Sequence, residues 1–481
     1  MSALAEELRW TDATAQAALV AHGEVTPTEL LDAAIERIER SNPALNAVVM
    51  EWFDHARSVA AGTELPRGPF RGVPFLLKDL YADFAGQTLS NGNAALKAAG
   101  RLASSDSTLV ARFKAAGLVI AGRTNSPELG SLPTTQPLAW GPTRNPWAPE
   151  RTPGGSSGGA AVAVATGMVP FAHASDGGGS IRIPASCCGI VGLKPSQGRI
   201  TVGPVRAEAG LGVELCVSRS VRDTAGLLDA VRGPGVGDTV IAPEPQRSYV
   251  EEVGADPGRL RIGFLDAHPR GDFLHEDCRS AVRAAASMLE GLGHIVEPAW
   301  PSCLADSALV HRFMALWATQ MALAARGIGA TLGREVTAAD MEPVNWALVE
   351  QAQRLTAVDY AAAQAAGWTF RRALQQWWAD GWDLLLTPTV AEPPPLLSEF
   401  ENDPALPTAP QRRAGRFAAF TPPFNMSGQP AISLPLYRNA DGLPIGVQLA
   451  ADYAREDILI RVASQLESAH PWSAAHPPIA G

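Results

Sequence analysis

The stretch from Ala160 to Pro170 has no charged residue and almost no polar one. A helix that is apolar all round must be buried on every side, so it needs layers of structure above and below it. It is too short to cross a bilayer, which takes about 20 residues, so the expectation is an interior helix of a soluble protein. Around it, helix and strand signals alternate. Thr26-Pro27-Thr28-Glu29 reads as a capping box with proline at the first helical position, followed by a stripe of Leu30, Leu31, Ala34, Ile35 and Ile38. Val73–Leu77 reads as a buried strand that ends at Lys78. Ser107–Ala116 reads as a helix and Leu118–Ala121 as a strand. Further strands are expected at Leu260–Leu265, Asp383–Thr387, Ala431–Leu434 and Gly446–Ala450. Further helices are expected near Ser220–Val231, Asp277–Leu292, Val358–Trp378 and Arg455–Ser468. This alternation predicts an α/β fold, a central mixed and twisted β-sheet covered by α-helices on both faces.

At 481 residues the chain could form about three average domains. Charged residues make up only 18%, against roughly 25% in typical soluble domains. Little charge per residue means little surface per residue, which favours one large body over residues 1–481. The 25-odd residues from Pro388 to Arg412, rich in proline and acidic groups, look like a long loop. A lid over a site and a passive surface excursion are both open for it. A net charge of −10 argues against a nucleic-acid partner, because phosphate binding needs a basic footprint. Five scattered cysteines make no disulfide framework, and the acidic N-terminus has no apolar signal core. A cytoplasmic protein with no membrane partner is the expectation.

Three segments could carry chemistry. Gly72–Asp79 places Lys78 at the end of an apolar strand, where an ammonium costs several kcal/mol unless paired or neutralised. Asp79 next to it could supply an ordinary ion pair. Gly154-Gly155-Ser156-Ser157-Gly158-Gly159 opens the apolar helix, which excludes a flexible linker. It also lacks the Gly-Lys-Ser/Thr ending of a phosphate loop. Asp176-Gly177-Gly178-Gly179-Ser180-Ile181-Arg182 lets several backbone N–H groups converge on one point, as an oxyanion hole requires. An ordinary glycine-rich turn fits that segment equally well. Metal and cofactor sites are not expected. Cys187 and Cys188 are adjacent and lack zinc-knuckle spacing, so they read as core packing. His173, Lys194 and Arg199 read as structural or surface residues.

Taken together, the three segments resemble the amidase signature family. Further blocks extend the resemblance over nearly the whole chain: Gly122–Glu128, Gly141–Trp147, Cys188–Pro195, Pro423–Pro430 and Gly442–Gln448. Within the family the chain is most similar to the 6-aminohexanoate-cyclic-dimer hydrolases and related bacterial amidases, notably at Trp10–Ala17 and Arg455–Leu459. It departs from them at Ser131, where they place an asparagine that contacts the substrate amide. It also departs over His311–Arg326, where Trp317 and Met321 add bulk.

The resemblance implies one large amidase-signature domain, with a motif core over about 72–200 and a pocket-shaping helical region over about 300–380. It implies a triad of Ser180 as nucleophile, Ser156 as relay after a cis peptide to Gly155, and Lys78 as base. Lysine can serve only when it is neutral, which burial favours. The N–H groups of Gly177, Gly178, Gly179 and Ser180 would hold the oxyanion. Asp176, Arg182, Ser157 and Asn125 would orient the loops, and Ser131, Trp317 and Gly155 would meet the substrate. No cofactor is implied. The partner would be a small-molecule amide, and a homodimer is compatible with the family. The acyl-enzyme route also handles carbamates and esters, and the family includes the amidase subunit of tRNA amidotransferases.

Overall fold

The computed structural model describes residues 1–204 and 210–479. Eleven strands form two sheets among these residues. The strands are β1 Val48–Glu51, β2 Pro74–Lys78, β3 Val119–Thr124, β4 Phe171–Asp176, β5 Val191–Lys194, β6 Val213–Ser218, β7 Arg261–Phe264, β8 Ile295–Glu297, β9 Leu384–Pro388, β10 Ala431–Arg438 and β11 Pro444–Ala451. The larger sheet is mixed, in the order β4-β6-β5-β10-β11-β9-β7-β8. Its pairs are antiparallel from β4 to β9 and parallel from β9 to β8. The smaller sheet is β1-β3-β2, antiparallel then parallel. β2 lies beside β4, so the two sheets meet at the strands that carry Lys78 and Asp176.

The apolar segment forms the helix Gly158–Ala165, every residue of which is buried. It touches β1, β2 and β3 of the small sheet and β4 and β6 of the large one, which explains its lack of a polar face. Helices pack on both faces of the large sheet. On β11 the even residues Gly446 and Gln448 meet Ser186 and Arg182 of the helix Arg182–Cys188. Strand alternation turns Val447 and Leu449 to the opposite layer. One hydrophobic cluster runs from Ala13 to Trp472. Two smaller ones lie under the helices Leu309–Leu332, Pro343–Gln353 and Ala409–Phe417.

The expected helices and strands are present with ends shifted by a few residues. The segment from Pro388 to Arg412 is different from the long loop expected. A short 3-10 turn spans Leu397–Phe400, and the helix Ala409–Phe417 starts inside the segment. Two of its acidic residues are engaged: Arg413 pairs with Glu392 at 2.7 Å and with Glu399 at 2.8 Å.

Lys194 and Arg199 are not on the surface either. Arg199 bonds both carboxylate oxygens of Glu456, at 3.2 and 3.1 Å. Lys194 ends β5 fully buried, with Nζ donating to Pro195 O at 2.9 Å. Burial brings its amine from 10.5 down to about 7, helped by the Arg182 charge and opposed by Asp176 and Glu456. Between those two values the unfolded chain holds a proton that the folded lysine has lost, so stability rises with pH across that window. Lys194→Met should remove this rise. Denaturant unfolding from about pH 7 to 10 should show wild type gaining up to about 1.4 kcal/mol per pH unit relative to the variant. A constant difference between the two would contradict the assignment.

Candidate active site

β2 delivers Lys78 to a pocket of hydroxyls. Its Nζ lies 2.7 Å from Ser156 Oγ and 2.9 Å from Ser175 Oγ, and none of the three residues is more than 5% exposed. Ser175 comes from β4, two residues after His173, so both side chains face β2. His173 Nδ1 accepts the backbone N–H of Lys78 at 3.2 Å. The ring proton is therefore on Nε2, which donates to Glu214 Oε2 at 2.7 Å. Burial holds the imidazole's pKa below its usual value, so His173 is a neutral prop behind the lysine.

The Gly155–Ser156 peptide is cis. A Cβ on Gly155 would lie 2.5 Å from the Thr134 backbone, so only glycine fits at this position. The Ser157 hydroxyl donates to Ser175 O and accepts from Ser175 N–H, joining the loop to the end of β4. Ser157 N–H also donates to Ser180 O at 3.3 Å, so the two serine segments touch. Asn125 sits farther out. It donates to Gly141 O and Thr143 Oγ1, and its carbonyl receives Gly159 N–H. Its place is under the start of the buried helix.

Asp176 shapes the second loop. Oδ1 accepts Gly179 N–H at 2.7 Å and Oδ2 accepts Ile181 N–H at 3.1 Å. Arg182 donates to both oxygens at 2.9 Å, and to Thr421 O, Gln448 Oε1 and Asn425 Oδ1. Burial would raise the Asp176 carboxyl, but the Arg182 charge and hydrogen bonds hold it well below the usual carboxylate range. The bond to Asp176 corrects one expectation, because Gly179 N–H is already used and cannot hold an oxyanion. The N–H groups of Gly177, Gly178 and Ser180 have no acceptor among the described residues.

Ser180 opens onto a cavity of about 480 Å³, which Ser131, Trp317 and Ile183 also line. Trp317 stacks on Phe313, with ring centroids 5.3 Å apart. A Cβ on Gly177 would lie 3.1 Å from the Trp317 ring, and one on Gly178 3.2 Å from Phe313. The aromatic pair therefore rests on the glycine loop. Gly155 lies behind the loop instead of on the cavity wall. The basic side chains of the wall are Arg270, His311 and Arg412, with no carboxylate among the lining residues.

Sequence reasoning missed Ser175, although the alternation that places His173 beside β2 could have found it. Cys187 and Cys188 are free and buried. Among the described residues no cluster of side chains could hold a metal ion, and no helix is long and apolar enough to cross a membrane.

The amidase family profile matches residues 29–460. A 6-aminohexanoate-cyclic-dimer hydrolase of Pseudomonas sp. (strain NK87) is 44% identical over 478 residues, covering 97% of this chain and 96% of its own. The solved structure of 6-aminohexanoate cyclic dimer hydrolase complexed with substrate has a TM-score of 0.94 at 43% identity, covering 98% of this chain and 100% of that one. A bacterial aryl acylamidase has a TM-score of 0.85 at 28% identity, covering 98% and 99% of the two chains. With the fold, the buried lysine–serine pair and the glycine loop in place, the chain belongs to the amidase signature family of hydrolases.

Proposed function

We propose that this protein hydrolyses carboxylic amides with an apolar acyl or aryl group through an acyl-enzyme on Ser180. The observation that carries this reading is the 2.7 Å contact of Lys78 Nζ with Ser156 Oγ, beside a loop that presents Ser180 to the cavity. Ser180 is a weak nucleophile until its proton is removed. Ser156 would take that proton while passing its own to neutral Lys78, and Ser175 and the His173 prop would fix the amine. As Ser180 Oγ adds to the carbonyl, charge develops on the carbonyl oxygen. The unengaged N–H groups of Gly177, Gly178 and Ser180 are the donors available to it. Return of the proton through Ser156 releases the amine, and water then cleaves the acyl-enzyme by the same relay.

The cavity wall supports an apolar acyl group over glutamine. A free amino acid would bring an ammonium group, and no lining carboxylate could receive it. A free-standing hydrolase is therefore favoured over an amidotransferase subunit. Carbamates and esters with the same apolar group fit the same chemistry.

Ser180→Ala should abolish hydrolysis of an aryl amide with the fold retained; more than a few per cent residual turnover would remove Ser180 from its role. Ser156→Ala and Lys78→Ala should each lose several orders of magnitude, and the double variant little more, because a relay fails as a unit. Multiplicative losses would count against the relay.

Ser131 is 5% exposed and on the wall, where one buried polar contact is worth about 1–3 kcal/mol. Ser131→Asn should shift the kcat/KM ranking of cyclic against linear or aryl amides by that amount. An unchanged ranking would place selectivity elsewhere.

Activity should rise from acid pH as Lys78 loses its proton, with no part for an imidazole. His173 is held neutral by burial, so His173→Asn should keep the acid limb in kcat. Loss of that limb in the variant would assign it to the histidine.

A further inference from the structure

The turn that carries Ser131 to the cavity is held from behind by a carboxylate that the proposed chemistry does not use. Glu128 is 1% exposed. Its Oε1 accepts Asn93 Nδ2 at 2.7 Å, and its Oε2 accepts Glu342 N–H at 2.8 Å and Asn345 Nδ2 at 2.6 Å. One carboxylate thus ties three segments: the loop before Asn93, the 127–131 turn, and the start of the helix Pro343–Gln353. That helix turns Val344, Leu348 and Gln351 to the cavity. The turn has positive φ at Leu129 and Gly130, 54° and 66°. A Cβ on Gly130 would lie 3.1 Å from Ser156 Oγ, so the turn rests directly on the relay hydroxyl.

This knot has two hydrogen-bonding states. With Glu128 ionised, all three donors are satisfied, and Asn345 Oδ1 is buried without a partner. With Glu128 protonated, a new O–H needs an acceptor. Asn93 cannot turn to supply one, because its Oδ1 caps the following helix by accepting Leu96 N–H at 2.8 Å. Asn345 can: rotating its amide about χ2 brings the unpartnered Oδ1 to the Glu128 O–H and withdraws Nδ2. The proton comes from solvent, and the rotation also gives up the longer bond from Asn345 Nδ2 to Glu128 O at 3.3 Å.

We infer, resting on the amidase reading, that Glu128 is a positioning residue whose proton state, read through the Asn345 amide, sets the acyl-pocket wall against Ser131 and Ser156. Burial and the charge of Glu342 bring its carboxyl up to about 7, in the range where an amidase of this kind would work. Glu342 is the charged side chain that acts on it most. Its own carboxylate accepts Leu138 N–H and Asn402 Nδ2. The other charged groups nearby are engaged. Asp340 pairs with Arg334, Asp79 accepts from Ser90 and Gly92, Lys97 Nζ donates to Ala139 O, and Lys78 holds Ser156.

The ionised state makes the full set of bonds, so the wall should be best formed above neutral pH. KM for an apolar anilide should fall several-fold as pH rises through about 7, separately from the Lys78 limb in kcat. Glu128→Gln imitates the protonated state. It should hold KM near the acid value at every pH while keeping the kcat limb. Binding of the same anilide to Ser180→Ala, measured by calorimetry at about pH 6 and 8.5, should show the same several-fold change, and the change should be absent from Ser180→Ala/Glu128→Gln. The binding arm stands even if no amide is turned over, which would count against the amidase reading alone. Asn345→Ala removes the amide that reads the proton and should flatten the same dependence, which covers a failure of Glu128→Gln to fold. A pH dependence of KM or binding that persists in these variants, or its absence from the wild-type Glu128 background, would overturn the inference.

Discussion

The ion pair between Asp176 and Arg182 is the constraint on which the loop and its surroundings depend. Two charges removed from water cost several kcal/mol each unless every donor and acceptor is met. Here the guanidinium finds acceptors on Asp176, Thr421, Asn425 and Gln448, and the carboxylate also takes two backbone N–H groups. Those two N–H bonds curl the chain after β4 into a tight loop. The same curl uses the Gly179 donor and leaves those of Gly177, Gly178 and Ser180 pointing elsewhere. Because Thr421, Asn425 and Gln448 belong to the C-terminal part of the chain, the loop is braced by segments more than 230 residues away. Loss of either charge would strand the other in the interior, a far larger penalty than the pair's net worth.

The second constraint is at the junction of the two sheets. β2 ends beside β4, and period-two alternation turns His173 and Ser175 together toward Lys78. His173 takes the lysine's backbone N–H and Ser175 approaches its amine, so one strand fixes both ends of the same residue. Ser157 then bonds the backbone of Ser175, which ties the loop of Ser156 to that strand. Lys78, Ser156 and the loop of Ser180 are thus referenced to β4.

The parts legible from the sequence are those where local chemistry and tertiary demand agree. The helix from Pro27 begins at its capping box, and β2 ends at its lysine. β4 was not legible, because Phe171–Asp176 is buried along its whole length and mixes apolar residues with His173, Ser175 and Asp176. Neither alternation nor a plain apolar run appears. The helix Leu309–Leu332 has no side-chain N-cap to mark its start, so only a broad helical region was foreseen. The segment from Pro388 to Arg412 resembled a solvated loop because the basic partner of its Glu392 and Glu399, Arg413, lies just beyond it. The glycine run showed that N–H groups converge, but not that Asp176 claims one of them. Glu128 stood inside a recognisable block without any sign that it joins three segments, since its partners lie up to 217 residues away.

These unforeseen elements have something in common. The candidate site is built on β2, β4 and two glycine loops; of these, β2 and the glycine loops must satisfy strict backbone demands and are therefore easy to read. The cavity wall is built from the helices Leu309–Leu332, Pro343–Gln353 and Ala409–Phe417, where many apolar residues fill space equally well and local signals are weak. Wall and chemistry touch in two places. Phe313 and Trp317 occupy the space that side chains on Gly177 and Gly178 would need, and the 127–131 turn rests on Ser156. Under the proposed function, substrate selection by the wall can therefore change residue by residue, except at those two contacts, where a shift of the wall is also a shift of the glycine loop or of Ser156.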